Sequence, residues 1–124
     1  GAFGATAVLV FGAPTSPFAQ PWNVVVGHVI SVAIGVAALA LGAPDWLAAA
    51  LAVGLAIFAM QVTRSLHPPG GASALIAVAG SDRIHDLGWL YPLVPVGSGA
   101  VILVAVALAV HRLRPGPRYP IYWY

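Results

Sequence analysis

Long stretches without charge are the feature that most constrains what this chain can fold into. Three apolar runs dominate it: Val24 to Gly42, Leu47 to Val62 and Trp89 to Val110. A helix needs about 20 apolar residues to cross the hydrocarbon core of a bilayer. Only 6% of the residues are charged, against about 25% in soluble domains. The sequence therefore predicts an integral, multi-pass membrane protein whose main partner is the lipid bilayer.

The few polar residues exclude several classes of function. Five arginines and a net charge of +2 are too sparse to predict nucleic-acid binding. No acid lies within a predicted span, so we expect neither an enzyme nor catalytic residues. Asp82, His85 and Asp86 have a spacing that could hold a metal, but a solvated loop is the preferred interpretation. We expect no metal and no cofactor.

Two shorter apolar segments, Gly4 to Gly12 and Gly71 to Gly80, carry related sequences. Both contain the pattern G-A-[ST]-A-[VL]-[LI], which indicates an internal repeat. Short, Gly/Pro-interrupted segments at matching positions of two halves are typical of transporter sites. The sequence thus predicts an all-α polytopic membrane helix bundle with two short broken or half-helix segments in an inverted repeat.

Charge favours a path in which the second short segment crosses the membrane. From Ser65 to Gly80 the chain can reach about 35 Å, enough for the hydrocarbon core. Crossing places Arg64 on the side of the tail arginines, and the positive-inside rule then predicts a cytoplasmic C-terminal tail. If the segment re-enters instead, the orientation is undetermined. A bacterial inner or plasma membrane is the expected location.

A double proline interrupts the most electropositive stretch of the chain. Pro68 and Pro69 cannot continue the preceding helix, so we expect Leu66 to Pro69 to be extended, as a structural break, and a new helix to start near Ala72. Free amides at a helix N-terminus attract anions, and Arg64 and His67 add positive charge nearby. An alternative remains open, in which Arg64 and His67 only cap the preceding span and extend to the headgroups.

A second ionisable residue, His28, lies inside an apolar span. Such residues are rare and usually face the bundle interior, although a neutral histidine bonded to a neighbouring helix would also fit. The repeat adds the turn from Gly4 to Thr6. We therefore predict one substrate-binding set: Arg64, His67, Gly70, Gly71, Ser73, His28, Gly4 and Thr6.

Other polar and small residues have structural interpretations. Asn23 and Gln20, next to Pro21 and Trp22, are typical of an N-cap and an interfacial anchor for the first span. The aromatic tail, residues 118–124, resembles a second interfacial anchor. A stripe of small residues suits close helix contacts, either within one subunit or in a homo-oligomer. The stripe comprises Gly27, Ser31, Gly35 and Ala38.

Several motifs together resemble the HPP family of transmembrane proteins, and they arrive in the order found in that family. They are Gly4-Ala5-Thr6-Ala7-Val8-Leu9-Val10-Phe11-Gly12-Ala13-Pro14, Ser16-Pro17, Ala19-Gln20-Pro21, Gly27-His28, Met60-Gln61, His67-Pro68-Pro69-Gly70-Gly71-Ala72 and Tyr119-Pro120. Gly70 departs from the alanine common there. The resemblance covers essentially the whole chain and implies four spanning helices. We therefore expect residues 1–124 to form a single HPP-type transmembrane domain that lacks its first N-terminal helix.

The resemblance also implies a function. Family members in photosynthetic organisms are similar to nitrite transporters, which implies a transporter for a small inorganic anion such as nitrite. Some bacterial members carry a regulatory CBS region after the membrane domain. The alternative is therefore a non-transporting membrane sensor or assembly subunit whose regulatory part lies outside this chain.

Overall fold

A computed structural model describes all residues, 1–124, and every regular element in it is helical. Short 3-10 turns and π-helical turns join or extend the α-helices. The α-helices are α1 (Ala2–Ala7), α2 (Pro21–Ala40), α3 (Asp45–Val62), α4 (Pro68–Ala79), α5 (Asp82–Leu87) and α6 (Ser98–Leu113). The π-helical turn Val8–Gly12 extends α1. The segment Pro92–Gly97 leads into α6 and is kinked at Val94, whose backbone is extended (φ −134°, ψ 119°).

Three helical segments are long and apolar enough to cross a membrane. They are Pro21–Ala40, Asp45–Val62 and Pro92–Leu113, and each lies within a few residues of a predicted apolar run. α2 begins on a proline, whose missing amide hydrogen costs nothing at the first helical position. The predicted polytopic membrane helix bundle is confirmed.

Small residues let α2 approach α4 and the segment before it. A Cβ atom on Gly35 would lie 2.6 Å from the carbonyl oxygen of Ala74, and one on Gly27 would lie 2.7 Å from the Cβ atom of His67. Both distances are shorter than real side chains tolerate. The small-residue stripe of α2 is therefore a packing surface within this chain.

The direction of α4 follows from those contacts. Gly27 meets His67 before α4, and Gly35 meets Ala74 one to two turns later, so α4 runs parallel to α2. Helix α1 runs the other way, because Gly1 lies near Ile76 while Thr6 lies near His67. The two helices that carry the repeated motif are thus antiparallel, which is the relation that an inverted repeat requires.

The two ends of the bundle carry different charges. The backbone amide and the indole of Trp22 donate to the carbonyl oxygens of Trp123 (3.2 Å) and Thr63 (3.1 Å), so the tail and the end of α3 lie together. We name this the arginine end, since it holds Arg64, Arg112, Arg114 and Arg118. The opposite, aspartate end holds Asp45, Asp82, Asp86 and Arg83. This distribution is the one that the crossing path predicted.

The tail is fixed to the loop before α2 by buried hydrogen bonds. The Tyr119 hydroxyl donates to the carbonyl oxygen of Ala19 at 3.0 Å, and burial raises the pKa of Tyr119 to about 12, which keeps the donor protonated. The amide oxygen of Gln20 accepts from the Ile121 amide at 2.9 Å. Gln20 is the N-cap residue of α2, but its side chain makes no capping hydrogen bond. The side chain is buried and links the loop to the tail, so the prediction of an interfacial anchor was wrong for Gln20.

Candidate functional site

The break between α3 and α4 is shorter than predicted. His67 is extended (φ −138°, ψ 99°) and serves as the N-cap of α4, whose first two residues are Pro68 and Pro69. The prediction that the prolines are extended, with a helix starting near Ala72, was wrong. A proline needs no amide hydrogen in the first turn and its fixed φ suits a helix, so the pair begins α4.

This helix start offers few free amides to an anion. Pro68 and Pro69 have none, and the amide of Gly70 already donates to the carbonyl oxygen of His67 at 2.8 Å. Because α4 begins at Pro68, Ser73 lies in the second turn instead of the first. The break therefore does not form the anion-binding helix N-terminus with free amides that the sequence predicted.

Arg64 completes the C-terminus of α3. It has a left-handed backbone (φ 54°), its amide donates to Gln61 (3.2 Å), and the Ser65 amide donates to Met60 (2.8 Å). This pair of bonds is a Schellman motif with arginine at the position that glycine usually takes. The side chain is exposed at the arginine end, so the structure does not bring Arg64 to the other predicted site residues.

The predicted glycines have separate roles. A Cβ atom on Gly70 would lie 2.8 Å from the Ser31 hydroxyl and 3.0 Å from the Gly27 carbonyl oxygen, so Gly70 is a close-packing position. Gly71 is half-buried and lines a cavity. Gly4 is exposed, and a Cβ atom added there would meet nothing within 4 Å. The structure therefore does not bring Gly4 to the other predicted site residues.

Four of the predicted side chains do come together, and all four are buried. The Thr6 hydroxyl lies 2.8 Å from Nε2 of His28 and 2.9 Å from Nε2 of His67. The Ser73 hydroxyl lies 2.7 Å from Nδ1 of His28. We call Thr6, His28, His67 and Ser73 the histidine cluster.

The repeat explains two members of the cluster. Thr6 and Ser73 occupy the same [ST] position of the motif that α1 and α4 share. Since the two helices approach α2 from opposite directions, the two hydroxyls reach opposite nitrogens of one ring, Nε2 and Nδ1 of His28. His28 is thus held between the two halves of the repeat.

The remaining bonds complete the cluster. Nδ1 of His67 donates to the carbonyl oxygen of Phe18 at 2.7 Å, and the ring of Phe3 covers His28 at a centroid distance of 4.9 Å. The two imidazole centroids are 4.8 Å apart. Every buried side-chain nitrogen and oxygen of the chain has a hydrogen-bond partner. The cluster is therefore fully hydrogen-bonded with no carboxylate in it.

A cavity lies beside the cluster, between α3 and α4. Its volume is about 420 Å³, and its lining is mostly apolar: Val53, Ile57, Met60, Gln61, Leu66, Pro68, Gly71 and Ala72. Met60 also contacts the other side, since its sulfur lies 3.5 Å from the Ser31 hydroxyl. Met60 thus lies between the cavity and Gly27, which packs against His67.

Two hydrogen-bond partners that hold the segment between α3 and α4 in place were not predicted from the sequence. The Asn23 side chain donates to the carbonyl oxygen of Leu66 at 3.0 Å; Asn23 lies inside α2, so its prediction as an N-cap was wrong. Phe18 contributes only a backbone oxygen, for which a sequence gives no signal. Asn23 could have been found, because a polar amide in the first turn of an apolar span needs a partner.

Comparison with known proteins gives a consistent result. Residues 1–120 match the model of a family described as HPP, transmembrane region. Two transmembrane proteins of Dictyostelium discoideum are each 45% identical to the chain over 128 residues. The alignments cover 100% of this chain but 41% and 45% of the two relatives, so the chain spans less than half the length of these curated relatives. No solved structure matches the chain.

Proposed function

Because the chain belongs to the HPP family of transmembrane proteins, we propose that it transports a small inorganic anion, with nitrite as the expected substrate. The observation that carries this proposal is the histidine cluster. Two ionisable rings are fully buried in a bundle whose three long helices are apolar. Ionisable residues inside membrane bundles are costly to keep, and they mark substrate pathways and proton relays.

The surroundings of the cluster support transport over catalysis. No carboxylate contacts the two imidazoles, whose hydrogen-bond partners are the hydroxyls of Thr6 and Ser73 and one backbone oxygen, that of Phe18. The cavity of about 420 Å³ between α3 and α4 is large enough for a small solute, and its lining includes Met60 and Gly71. The short helix α4 begins at the cluster, with His67 as its N-cap, and short or broken helices at the binding site are typical of transporters.

The test is nitrite uptake by the purified full-length protein in liposomes. Wild-type protein is expected to take up nitrite faster than protein-free vesicles. His28→Gln keeps a hydrogen-bonding side chain but removes the ring, and we expect it to lower uptake by about tenfold or more, which corresponds to about 1.4 kcal/mol. The helical circular dichroism of the variant must match that of the wild type.

His85→Gln is the matched control, since His85 lies on α5 and contacts only the carbonyl oxygen of Val78 (3.1 Å). It is expected to keep wild-type uptake. Wild-type uptake equal to that of protein-free vesicles would overturn the proposed function. Equal loss in both variants would remove the cluster as its site.

We also propose that the arginine end faces the cytoplasm, with the C-terminal tail. Four arginines lie at that end and one at the aspartate end, and the positive-inside rule favours the cytoplasm for the first. Single cysteines at Ser81 and Gly116 test this in an otherwise cysteine-free full-length protein. A membrane-impermeant maleimide applied to intact cells should label Ser81→Cys and spare Gly116→Cys; the reverse pattern contradicts the orientation.

A further inference from the structure

The hydrogen bonds of the histidine cluster have only one consistent direction when both rings are neutral. A carbonyl oxygen can only accept, so the hydrogen of His67 must lie on Nδ1, which faces Phe18. Nε2 of His67 is then an acceptor, and the Thr6 hydroxyl donates to it at 2.9 Å. Since Thr6 has one hydrogen, Nε2 of His28 must donate to the Thr6 oxygen.

The direction of the hydrogen bond between His28 and Ser73 is fixed as well. With its hydrogen on Nε2, His28 accepts at Nδ1, and the Ser73 hydroxyl donates to it at 2.7 Å. The bonds therefore run in one direction, from Ser73 through His28, Thr6 and His67 to the carbonyl oxygen of Phe18. His28 therefore carries its hydrogen on Nε2, whereas His67 carries its hydrogen on Nδ1.

An added proton can be held without leaving any group unpaired. On His28, it would occupy Nδ1 and donate to the Ser73 oxygen, while the Ser73 hydroxyl turns to the carbonyl oxygen of Pro69 at 3.4 Å. On His67, it would occupy Nε2 and donate to Thr6, whose hydroxyl has the carbonyl oxygen of Ala2 at 3.2 Å as a second acceptor. Each hydroxyl thus has a backbone acceptor one helical turn back.

The proton can also pass between the rings through Thr6. Nε2 of protonated His28 gives its hydrogen to the Thr6 oxygen as the Thr6 hydroxyl hydrogen moves to Nε2 of His67. One O–H bond breaks and one forms at Thr6, so the threonine is unchanged and the positive charge has moved to His67. No other reactant is needed.

The packing limits the cluster to one proton at a time. Its neighbours are Phe3 and Thr6 from α1, Met60 from α3, Ser73 from α4 and the Phe18 carbonyl, none of which is charged. The only titratable group facing each ring is therefore the other ring. Two imidazolium ions with centroids 4.8 Å apart would repel each other.

We propose that His28, Thr6 and His67 form a proton relay, and that a proton enters the cluster with each anion. The coupling rests on the proposed transport function. An anion beside two neutral rings in a low-dielectric interior lacks a countercharge, and protonation of one ring supplies it. Anion and proton would then move in the same direction, as an electroneutral pair.

The first experiment examines the relay without any solute. The full-length protein, with ¹⁵N-labelled histidine, is placed in lipid nanodiscs, and the ring nitrogen shifts of His28 and His67 are assigned with the two His→Gln variants. The relay predicts hydrogen on Nε2 of His28 and on Nδ1 of His67. The same tautomer on both rings would overturn it.

The second experiment measures coupling in liposomes that contain a pH-sensitive dye, with the membrane potential clamped by potassium and valinomycin. An inward nitrite gradient should acidify the lumen, with about one proton for each nitrite. Thr6→Val removes the shuttle and should lower proton movement by about tenfold or more. Thr6→Ser keeps a hydroxyl and should retain it, and Thr63→Val is the same change at an exposed site and should leave it unchanged.

The outcomes separate the two proposals. Nitrite uptake without proton movement would overturn the relay and leave the transport function standing. Absence of nitrite uptake by the wild type would overturn both the transport function and its coupling. Full proton coupling in a folded Thr6→Val protein would overturn the role of Thr6 while leaving transport intact.

Discussion

Two basic residues three positions apart, Arg64 and His67, occupy opposite environments. Arg64 is exposed and has a left-handed backbone that ends α3, whereas His67 is buried and bonded through both ring nitrogens. The difference follows from chemistry: a histidine can be neutral and find two partners in a bundle, while an arginine cannot lose its charge. Arg64 and His67 therefore do not belong to one site, although they are close in sequence.

The backbone between them produces this separation. The Schellman motif at Arg64 reverses the chain, and Ser65 and His67 then turn inward against Gly27, where a Cβ atom would lie 2.8 Å from the Ser65 oxygen. The inner face of the break is close-packed and the outer face is open. Substitutions on the two faces should consequently differ in size, and the following predictions measure that difference.

The largest effect on stability is expected at Gly27. Gly27→Ala places a Cβ atom 2.7 Å from the Cβ atom of His67 and 2.8 Å from a backbone oxygen, so the inner face must shift. We expect a loss of about 3 kcal/mol in the free energy of unfolding, measured by denaturant titration in detergent micelles. Gly54→Ala is the control, because it meets nothing within 4 Å and should be neutral or stabilising by up to about 1 kcal/mol. Equal changes in the free energy of unfolding for Gly27→Ala and Gly54→Ala would contradict close packing at Gly27.

A smaller loss is expected when the cluster loses one hydroxyl. Thr6→Val keeps the shape of the side chain but removes the hydroxyl. The Nε2 atoms of His28 and His67, both buried, then lose the hydrogen-bond partner that they share. We expect the free energy of unfolding to fall by about 2 kcal/mol. Ser73→Ala affects one ring nitrogen only and should cost about 1 kcal/mol. An unchanged unfolding curve for Thr6→Val would show that the cluster does not stabilise the bundle.

The smallest effect is expected on the outer face. Arg64→Gly relieves the left-handed strain at φ 54° and should stabilise the protein by up to about 1 kcal/mol. Arg64→Ala retains a Cβ atom and the strain, so its unfolding curve should match that of the wild type. A large loss in Arg64→Ala would show that the guanidinium makes contacts which matter for folding.

Sequence reasoning predicted the parts of this molecule that depend on hydrophobicity. The three spans, the two short helices and their repeat follow from apolar runs and from Gly/Pro positions. Thr6 was found because the repeat matches it to Ser73, and His28 because ionisable residues in apolar spans usually face the interior. Ser73 was chosen for a place in the first turn of the new helix, although it lies in the second turn of α4. These three residues cluster with His67 because α1 and α4 approach α2 from opposite directions, as the inverted repeat implied.

The remainder depends on backbone detail that residue types do not encode. Glycine is usual at the C-terminus of a helix, so nothing in the identity of Arg64 revealed its left-handed backbone. A double proline both ends one helix and can begin the next, and only the extended His67 places the break before Pro68. The Phe18 oxygen that orients His67 is a backbone atom. Because of these three features, the candidate site lies in the bundle interior and not at the helix terminus, where the sequence predicted it.

In the proposed function, transport depends on the inner face of the break and not on its exposed arginine. The most direct test is nitrite uptake into liposomes by His67→Gln and Arg64→Gln, side by side with the wild-type full-length protein. We expect a loss of about tenfold or more for His67→Gln and a rate close to wild type for Arg64→Gln. Loss of uptake in Arg64→Gln with normal uptake in His67→Gln would contradict it.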